Sequence, residues 1–406
     1  MAKLEELIKE LCPNGVEYKF VGDVCDTITD YVAAGSFAEI AKKVKYINTP
    51  EYALLVRTTD LKSNFAKGDF IYIDKEAYDF LWRVHLDAET IILPNIGNCG
   101  EVYYITKDRL PYPHCALAPN AIMVRSSTCL NLYLKYVFES EYFQKQLMKI
   151  VSPTGQTKFN KTDLKRLLIP LPPLAIQREI VRILDKFTLY SQELAAELAA
   201  RRVQYEYYRD QLVSFNNKTE QIKWVLLQEI LEIKNGSDYK RFGEGQYPVY
   251  GSGGVMTYID NFIYDKPSVL IPRKGSLNNL FYVETPFWTV DTIFYTIIDT
   301  TKVVPKFVFY YLQNQHLEKL NKAGGVPSLT QSVLNLIKFP IPPLEVQERI
   351  VKVLDNFDAI CSDLGIGLPA EIEKRQQQYE FYRDKLLTFG TGSATIFTDR
   401  QTDRQG

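Results

Sequence analysis

Histidine is almost missing from this 406-residue sequence, which has only His85, His114 and His316, each far from the others. Two-histidine metal motifs such as H-E-x-x-H are therefore excluded. No apolar run reaches the ~18–20 residues that a membrane helix needs. The opening Met1-Ala2-Lys3-Leu4-Glu5-Glu6 has no signal-peptide pattern. A soluble, cytoplasmic protein is the expectation. Cys12, Cys25, Cys99, Cys115, Cys129 and Cys361 are scattered, with neither zinc-site nor disulfide-framework spacing. Phosphate loops of the G-x-x-x-x-G-K-[ST] type and G-x-S-x-G elbows are absent. Gly251-Ser252-Gly253-Gly254 is not followed by a long helical pattern, as a nucleotide-cradling loop would be. With no catalytic constellation and no metal site, the chain is expected not to be an enzyme on its own.

An excess of one charge is missing too. The chain has 48 Lys and Arg against 49 Asp and Glu, a formal net charge of −1. A polycation that coats nucleic acid is thereby excluded. Segments 1–150, 151–215, 216–325 and 326–390 carry −3, +3, +1 and −2, so none is a basic block. The length suffices for two to four domains. With 21 Gly and 20 Pro, neither a collagen-like nor a largely disordered chain is expected.

What the sequence does contain is itself, twice. Pro170-Leu171-Pro172-Pro173-Leu174-Ala175-Ile176-Gln177 returns as Pro340-Ile341-Pro342-Pro343-Leu344-Glu345-Val346-Gln347, and Gln204-Tyr205-Glu206-Tyr207-Tyr208-Arg209-Asp210 returns as Gln378-Tyr379-Glu380-Phe381-Tyr382-Arg383-Asp384. Between these motifs apolar residues recur at spacings of three and four. The first seam includes Ile180, Leu184, Phe187, Leu194, Leu198, Tyr205, Tyr208 and Leu212; the second includes Ile350, Leu354, Phe357, Tyr379, Tyr382 and Leu386. This is a coiled-coil seam. The prolines mark helix starts. A helix over 174–214 would be roughly 60 Å long, and two such helices are expected to pack antiparallel. The second copy has four extra residues near Gly365, Gly367 and Pro369, where either a stutter or a real break fits. The segments before the helices repeat faintly as a hairpin, Ile91–Asn98 to Ile105 and Val269–Ser276 to Val283.

Together with the opening Cys12-Pro13-Asn14-Gly15-Val16-Glu17-Tyr18, these duplicated motifs make the chain, to about Phe389, resemble the specificity (S) subunit of type I restriction-modification enzymes. The resemblance implies an α/β (α+β) fold with a pseudo-two-fold internal repeat. Two similar target recognition domains, 1–150 and 216–325, would alternate with helical spacers 151–215 and 326–390, followed by a flexible tail, 391–406. It implies a non-catalytic reader of a bipartite double-stranded DNA target. Its spacers would dock two methyltransferase (M) subunits, which bring S-adenosylmethionine, with motor/nuclease (R) subunits joining through the complex. The tandem Glu193-Leu194-Ala195-Ala196 and Glu197-Leu198-Ala199-Ala200 is similar to the short spacer repeats of some members, although it is also simply good helix sequence. A coiled-coil scaffold binding only protein is the alternative.

Base readout calls for Arg or Lys toward guanine and Asn or Gln toward adenine, and phosphate contact for cations, hydroxyls and backbone N–H groups. Candidate loops are Arg57-Thr58-Thr59-Asp60, Asn95-Ile96-Gly97-Asn98, Tyr250-Gly251-Ser252-Gly253-Gly254 and Arg273-Lys274-Gly275-Ser276, with Gly155-Gln156-Thr157-Lys158 suited to phosphate. The candidate DNA-binding residues are Arg57, Thr58, Thr59, Asn95, Asn98, Thr157, Lys158, Tyr250, Ser252, Arg273, Lys274 and Ser276. Each loop could also be an ordinary polar turn.

Overall fold

A computed structural model describes residues 2–152, 157–215, 222–321, 327–362, 365 and 367–389. The chain divides into two compact units. One holds the residues up to Gln192 and those from Lys374 onward; the other is Glu193–Glu373.

The first unit contains a four-stranded antiparallel sheet in the order Thr27–Asp30, Ala121–Arg125, Thr90–Pro94, Tyr103–Ile105. A three-stranded sheet has Ala53–Val56 at its centre, antiparallel to Tyr72–Ile73 and parallel to Cys115–Leu117. Ala53–Val56 and Thr90–Pro94 are buried at every position, so they read as continuous apolar runs without strand alternation. Two consecutive helices follow, Asn131–Glu139 and Glu141–Ile150. Ser140 separates them: its hydroxyl accepts the Phe143 N–H and caps the second helix.

The second unit repeats this topology. Its four-stranded sheet runs Leu231–Asn235, Ile293–Ile298, Ser268–Pro272, Phe281–Val283, all antiparallel. In its three-stranded sheet Glu244–Gly251 lies antiparallel to Gly254–Ile259 and parallel to Trp288–Thr289. Each unit also has a two-stranded ribbon, Tyr18–Phe20 with Leu168–Pro170 and Lys223–Leu226 with Lys338–Ile341. The duplication therefore extends through the domains, where sequence identity has mostly worn away.

The first long helix is Leu174–Val213. Its residues up to Gln192 belong to the first unit and the rest to the second. The second spacer is broken into Leu344–Ser362 and Leu368–Leu387. Of the two sequence-level alternatives at Gly365–Pro369, the break is the one observed. Pro369 falls in the first turn of the new helix, where its missing N–H costs nothing. Positions 363, 364 and 366 lie outside the described residues, as does the tail 391–406.

Packing is antiparallel within each unit. In the first, Phe187 stacks on Tyr382 with centroids 5.4 Å apart, and the Arg375 guanidinium lies 5.2 Å from the Tyr190 ring. In the second, Tyr208 meets Phe357 at 5.7 Å, while Asp358 and Cys361 lie beside Tyr205. Ile180 and Leu184 belong to the first unit's core, Ile350 and Leu354 to the second's.

The repeated residues make repeated contacts. Gln177 and Gln347 are fully buried. Gln177 Oε1 accepts the Leu130 N–H (3.0 Å) just before helix Asn131–Glu139, and its Nε2 donates to the Pro172 carbonyl (2.8 Å). Gln347 Oε1 likewise accepts the Val304 N–H (2.8 Å) before helix Pro305–Gln313, and its Nε2 donates to Pro342 (2.8 Å). Tyr136 donates its hydroxyl to Asp185, and Tyr310 to Asp355. Burial, then the adjacent carboxylate, pushes both phenols well above their ordinary pKa, so they remain donors. The second motif end also closes the first unit: the Glu141 N–H donates to Asp384 (2.8 Å), and Tyr18 donates to the Phe389 carbonyl (2.9 Å).

Replacing Gln177 by Ala strands a buried N–H and a buried carbonyl. It is expected to cost about 2–3 kcal/mol, and Tyr136→Phe about 1.5 kcal/mol, read as lowered urea midpoints. A Gln177→Ala change within about 0.5 kcal/mol of wild type would show that the glutamine is not a structural tie.

Candidate nucleic-acid interface

In the first unit the hairpin Thr90–Pro94 to Tyr103–Ile105 holds Asn95–Asn98 at its turn, with Gly97 at φ +84°. This left-handed value suits glycine. Two of the predicted loops meet here. The Gly97 N–H donates to the Thr157 carbonyl (2.8 Å), the Thr157 hydroxyl donates to the Gly97 carbonyl (2.6 Å), and Phe159 N–H donates to the Asn95 carbonyl (3.1 Å). Asn95 spends its side-chain donor on the Phe159 carbonyl (3.2 Å). Asn95 and Thr157 thus tie the loops together, whereas Asn98 and Lys158 are exposed. Gly155 and Gln156 lie outside the described residues.

Arg57 is engaged within its own loop. Its Nε and Nη2 grip the Asp60 carboxylate at 3.0 and 2.6 Å, and Nη2 also donates to the Asp69 carbonyl at 2.7 Å. Asp60 is only 2% exposed and also accepts the Arg57 N–H (2.8 Å). The guanidinium holds the loop closed and leaves Thr59 as its exposed hydroxyl, with Thr58 half-buried. Three residues not picked out from the sequence join this loop to the hairpin. Lys62, on the short helix Thr58–Lys62, pairs with Glu101 at 3.0 Å, and Glu101 also accepts from Tyr103 (2.7 Å) and Asn98 (3.4 Å). Burial pulls the Glu101 carboxyl up, but the donors Tyr103 and Lys62 outweigh it and hold its pKa below the usual carboxylate range.

In the second unit Arg273–Ser276 occupies the equivalent hairpin turn, with Gly275 again at φ +84°. Its ties repeat those of the first: Gly275 N–H to the Pro327 carbonyl (3.1 Å) and Leu329 N–H to the Arg273 carbonyl (2.9 Å). Thr292 draws in the glycine loop. Its carbonyl accepts the Arg273 N–H (2.9 Å), and its hydroxyl accepts the Ser252 N–H (3.3 Å). Asn279 Nδ2 adds a bond to the Ser252 carbonyl (3.4 Å). Both predicted loops, Tyr250–Gly254 and Arg273–Ser276, are therefore one surface. Tyr250 is a wall of it, against Phe281 and Phe287, and burial raises its hydroxyl pKa. Lys274 and Ser276 are exposed, Ser252 and Arg273 half-buried, and the Arg273 guanidinium lies 5.9 Å from the Phe294 ring. Among the described residues neither Arg273 nor Lys274 has an ion-pair partner. Thr292 and Asn279 had a sequence signal, in polar pairs (Asp291-Thr292, Asn278-Asn279) at strand boundaries. Among the described residues no group of three His, Cys, Asp or Glu could hold a metal ion.

The spacer residues separate by depth. Ile180, Leu184, Leu194, Ile350, Leu354, Tyr379 and Leu386 are buried; Phe187, Leu198, Tyr205, Leu212, Phe357 and Tyr382 are half-buried; Tyr208 is exposed at one edge.

Comparison with known proteins follows the same division. The family described as type I restriction modification DNA specificity domain matches residues 13–200 and 220–374. A type I restriction enzyme specificity subunit of Escherichia coli is 34% identical over 261 residues, which is 55% of this chain and 63% of the relative. The chain thus spans somewhat under two thirds of that relative. A putative type I specificity subunit of Mycoplasma pneumoniae is 32% identical over 233 residues, 53% of this chain and 90% of the relative. Among solved structures, the type I restriction-modification S subunit from M. genitalium aligns with a TM-score of 0.52 at 17% identity, covering 92% of this chain and 97% of that one. A chain from work on complex assembly and conformational transition of the type I R-M system aligns with a TM-score of 0.63 at 16% identity, covering 92% and 98%. At these identities the structural likeness speaks for the fold.

Two substitutions separate holding from reading. Arg57→Ala leaves the buried Asp60 carboxylate unpaired and is expected to destabilise the chain by about 3 kcal/mol. Lys274→Ala, at an exposed cation, is expected to stay within about 0.5 kcal/mol of wild type. Urea melts of both variants check the contrast, and equal stability would contradict the assignment of Arg57 as a loop clasp.

Proposed function

The chain belongs to the type I restriction modification DNA specificity family, and from that premise we propose that each of its two domains reads one half of a bipartite double-stranded DNA target. It is a recognition subunit and not a catalyst. The observation that carries the reading is the duplication of the candidate surface. The same hairpin turn, with the same left-handed glycine and the same backbone ties, occurs in each unit with different side chains: Asn98 and Lys158 in one, Arg273, Lys274 and Ser276 in the other. A common frame with divergent tips is what reading two different half-sites requires. Phosphate contacts set register, and base-edge contacts select sequence.

On this reading the helical spacers dock methyltransferase subunits. Support comes from apolar side chains on the spacer helices that no other described element covers, such as Val203, Tyr207 and Phe381, each at least 60% exposed. S-adenosylmethionine belongs to those partners, whose chemistry is methyl transfer to adenine, and motor/nuclease subunits join through them. The setting is the cytoplasm. Among the described residues no helix is long and apolar enough to cross a membrane. The net charge of −1 fits a reader pressed against DNA by its partners, because phosphate neutralisation supplies most non-specific affinity.

Co-expression with an adenine methyltransferase partner is expected to yield a stable complex and adenine methylation at one bipartite motif, read by methylation-sensitive sequencing. An intact complex that methylates no such motif would leave only a protein-binding scaffold. In a second measurement the isolated chain should bind DNA only in the ~10⁻⁴–10⁻⁶ M range of non-specific association at physiological salt. The assembled complex should reach about 10⁻⁸ M or tighter on its own site. Tight specific binding by the chain alone would contradict the division of labour.

A further inference from the structure

The two units share a strand topology but differ in their connections, among them the one from the central strand of the three-stranded sheet to its antiparallel neighbour. In the first unit this connection is long. It holds the Arg57–Asp60 clasp and helix Thr58–Lys62, and it packs Phe65 and Phe70 against the core. In the second unit it is a tight hairpin turn, Ser252-Gly253, between Glu244–Gly251 and Gly254–Ile259. Beyond it Val255, Met256 and Tyr258 are 46, 59 and 54% exposed. Gly254–Ile259 is an edge strand without a single charged residue, Gly-Val-Met-Thr-Tyr-Ile. Sheets ordinarily protect such an edge with charge, proline or cover.

We propose that this hairpin tip enters the DNA major groove, where Val255 and Met256 read thymine through apolar contact with its 5-methyl group. The proposal rests on the reader assignment above and names one of its specificity-determining elements. A two-stranded ribbon fits the width of the major groove, and thymine is the one base that presents a methyl group there. The tip is also continuous with the basic surface. Thr292 accepts the N–H groups of Ser252 and of Arg273, and Asn279 holds the Ser252 carbonyl. Side chains suited to phosphate and guanine, Lys274 and Arg273, therefore flank the apolar pair. Glycine shapes the tip at two positions. Gly254 sits at φ +113°, and a Cβ on Gly251 would come within 2.7 Å of the Met256 Sδ. Gly251 thus leaves room for the Met256 thioether to lie across the turn, where an unbranched side chain can adapt to a base edge.

The test uses the complete complex with its methyltransferase partner. Once its motif is known, each thymine in it is replaced singly by uracil, which lacks only the methyl group. In one half-site, one or two of these replacements are expected to slow adenine methylation about fourfold per methyl lost. Val255→Ser and Met256→Ser should slow methylation of the thymine duplex to the same extent and abolish the thymine–uracil difference, leaving the other half-site unchanged. Equal rates for thymine and uracil at every position with the wild-type complex overturn the proposal, whether or not the variants fold. So do variants that assemble normally and keep the full thymine preference, which would leave the two side chains no part in reading the methyl group. A wild-type complex with no bipartite motif defeats the reader assignment itself, and is thereby distinguished from failure of the hairpin alone.

Discussion

A helix that begins at the protein interior has N–H groups with no partner of their own, and here a side chain from a different helix supplies one. Gln177 and Gln347, each one turn into a spacer helix, accept the N–H just ahead of the domain helices Asn131–Glu139 and Pro305–Gln313. The same amides donate to the carbonyls of Pro172 and Pro342, in the proline turns that start the spacer helices. One buried group thus fixes two helix starts at once, and an alternative packing would leave several buried polar atoms unsatisfied. The Tyr136–Asp185 and Tyr310–Asp355 bonds then set the rotation of spacer against domain two turns further on. Within each unit, the packing of domain against spacer depends on this polar clasp.

That dependence explains which parts of the structure were legible in the sequence. The P-P-L-x-x-Q and Q-Y-E-[YF]-Y-R-D motifs stand out in part because some of their residues make specific polar contacts between elements. Gln must both accept and donate, and Asp384 must accept the Glu141 N–H. The long helix was legible from its seam, and the hairpins Thr90–Ile105 and Ser268–Val283 from their apolar runs around polar turns. Strands such as Thr27–Asp30 and Leu231–Asn235 were not. Thr27–Asp30 is half-buried throughout, and Leu231–Asn235 carries Glu232 and Lys234 on its open face. Trp288–Thr289 is only two residues long, too short for any period to show. The break in the second spacer stayed undecided because a four-residue step preserves the seam phase whether or not the backbone is continuous.

The candidate surface shows a different limit. Residue type picked out the candidate loops, and the second unit brings two of them, Tyr250–Gly254 and Arg273–Ser276, onto one surface. In the first unit the same logic favoured Arg57, whose charge is spent on Asp60. A guanidinium three residues before a carboxylate can form a local clasp or a base contact, and only the fold decides. Asn95 and Thr157 present the same ambiguity, resolved by backbone carbonyls within reach. Polar residues that face their own loop are structural, and those that face away are free to diverge.

Separating frame from tip reconciles duplication with divergence. The frame contacts are backbone-to-backbone or involve glycine, so they recur at Gly97 and Gly275 although the flanking side chains differ. Hydrogen bonds from the main chain carry no sequence memory, so the tips can change without moving the frame. A near-neutral chain follows from the same separation. If bulk attraction to DNA comes from partners, the reader needs few cations, and each can be placed where it discriminates. The neutral composition that excludes a polycation is then the composition expected of a chain whose contacts are few, local and held in place by main-chain hydrogen bonds.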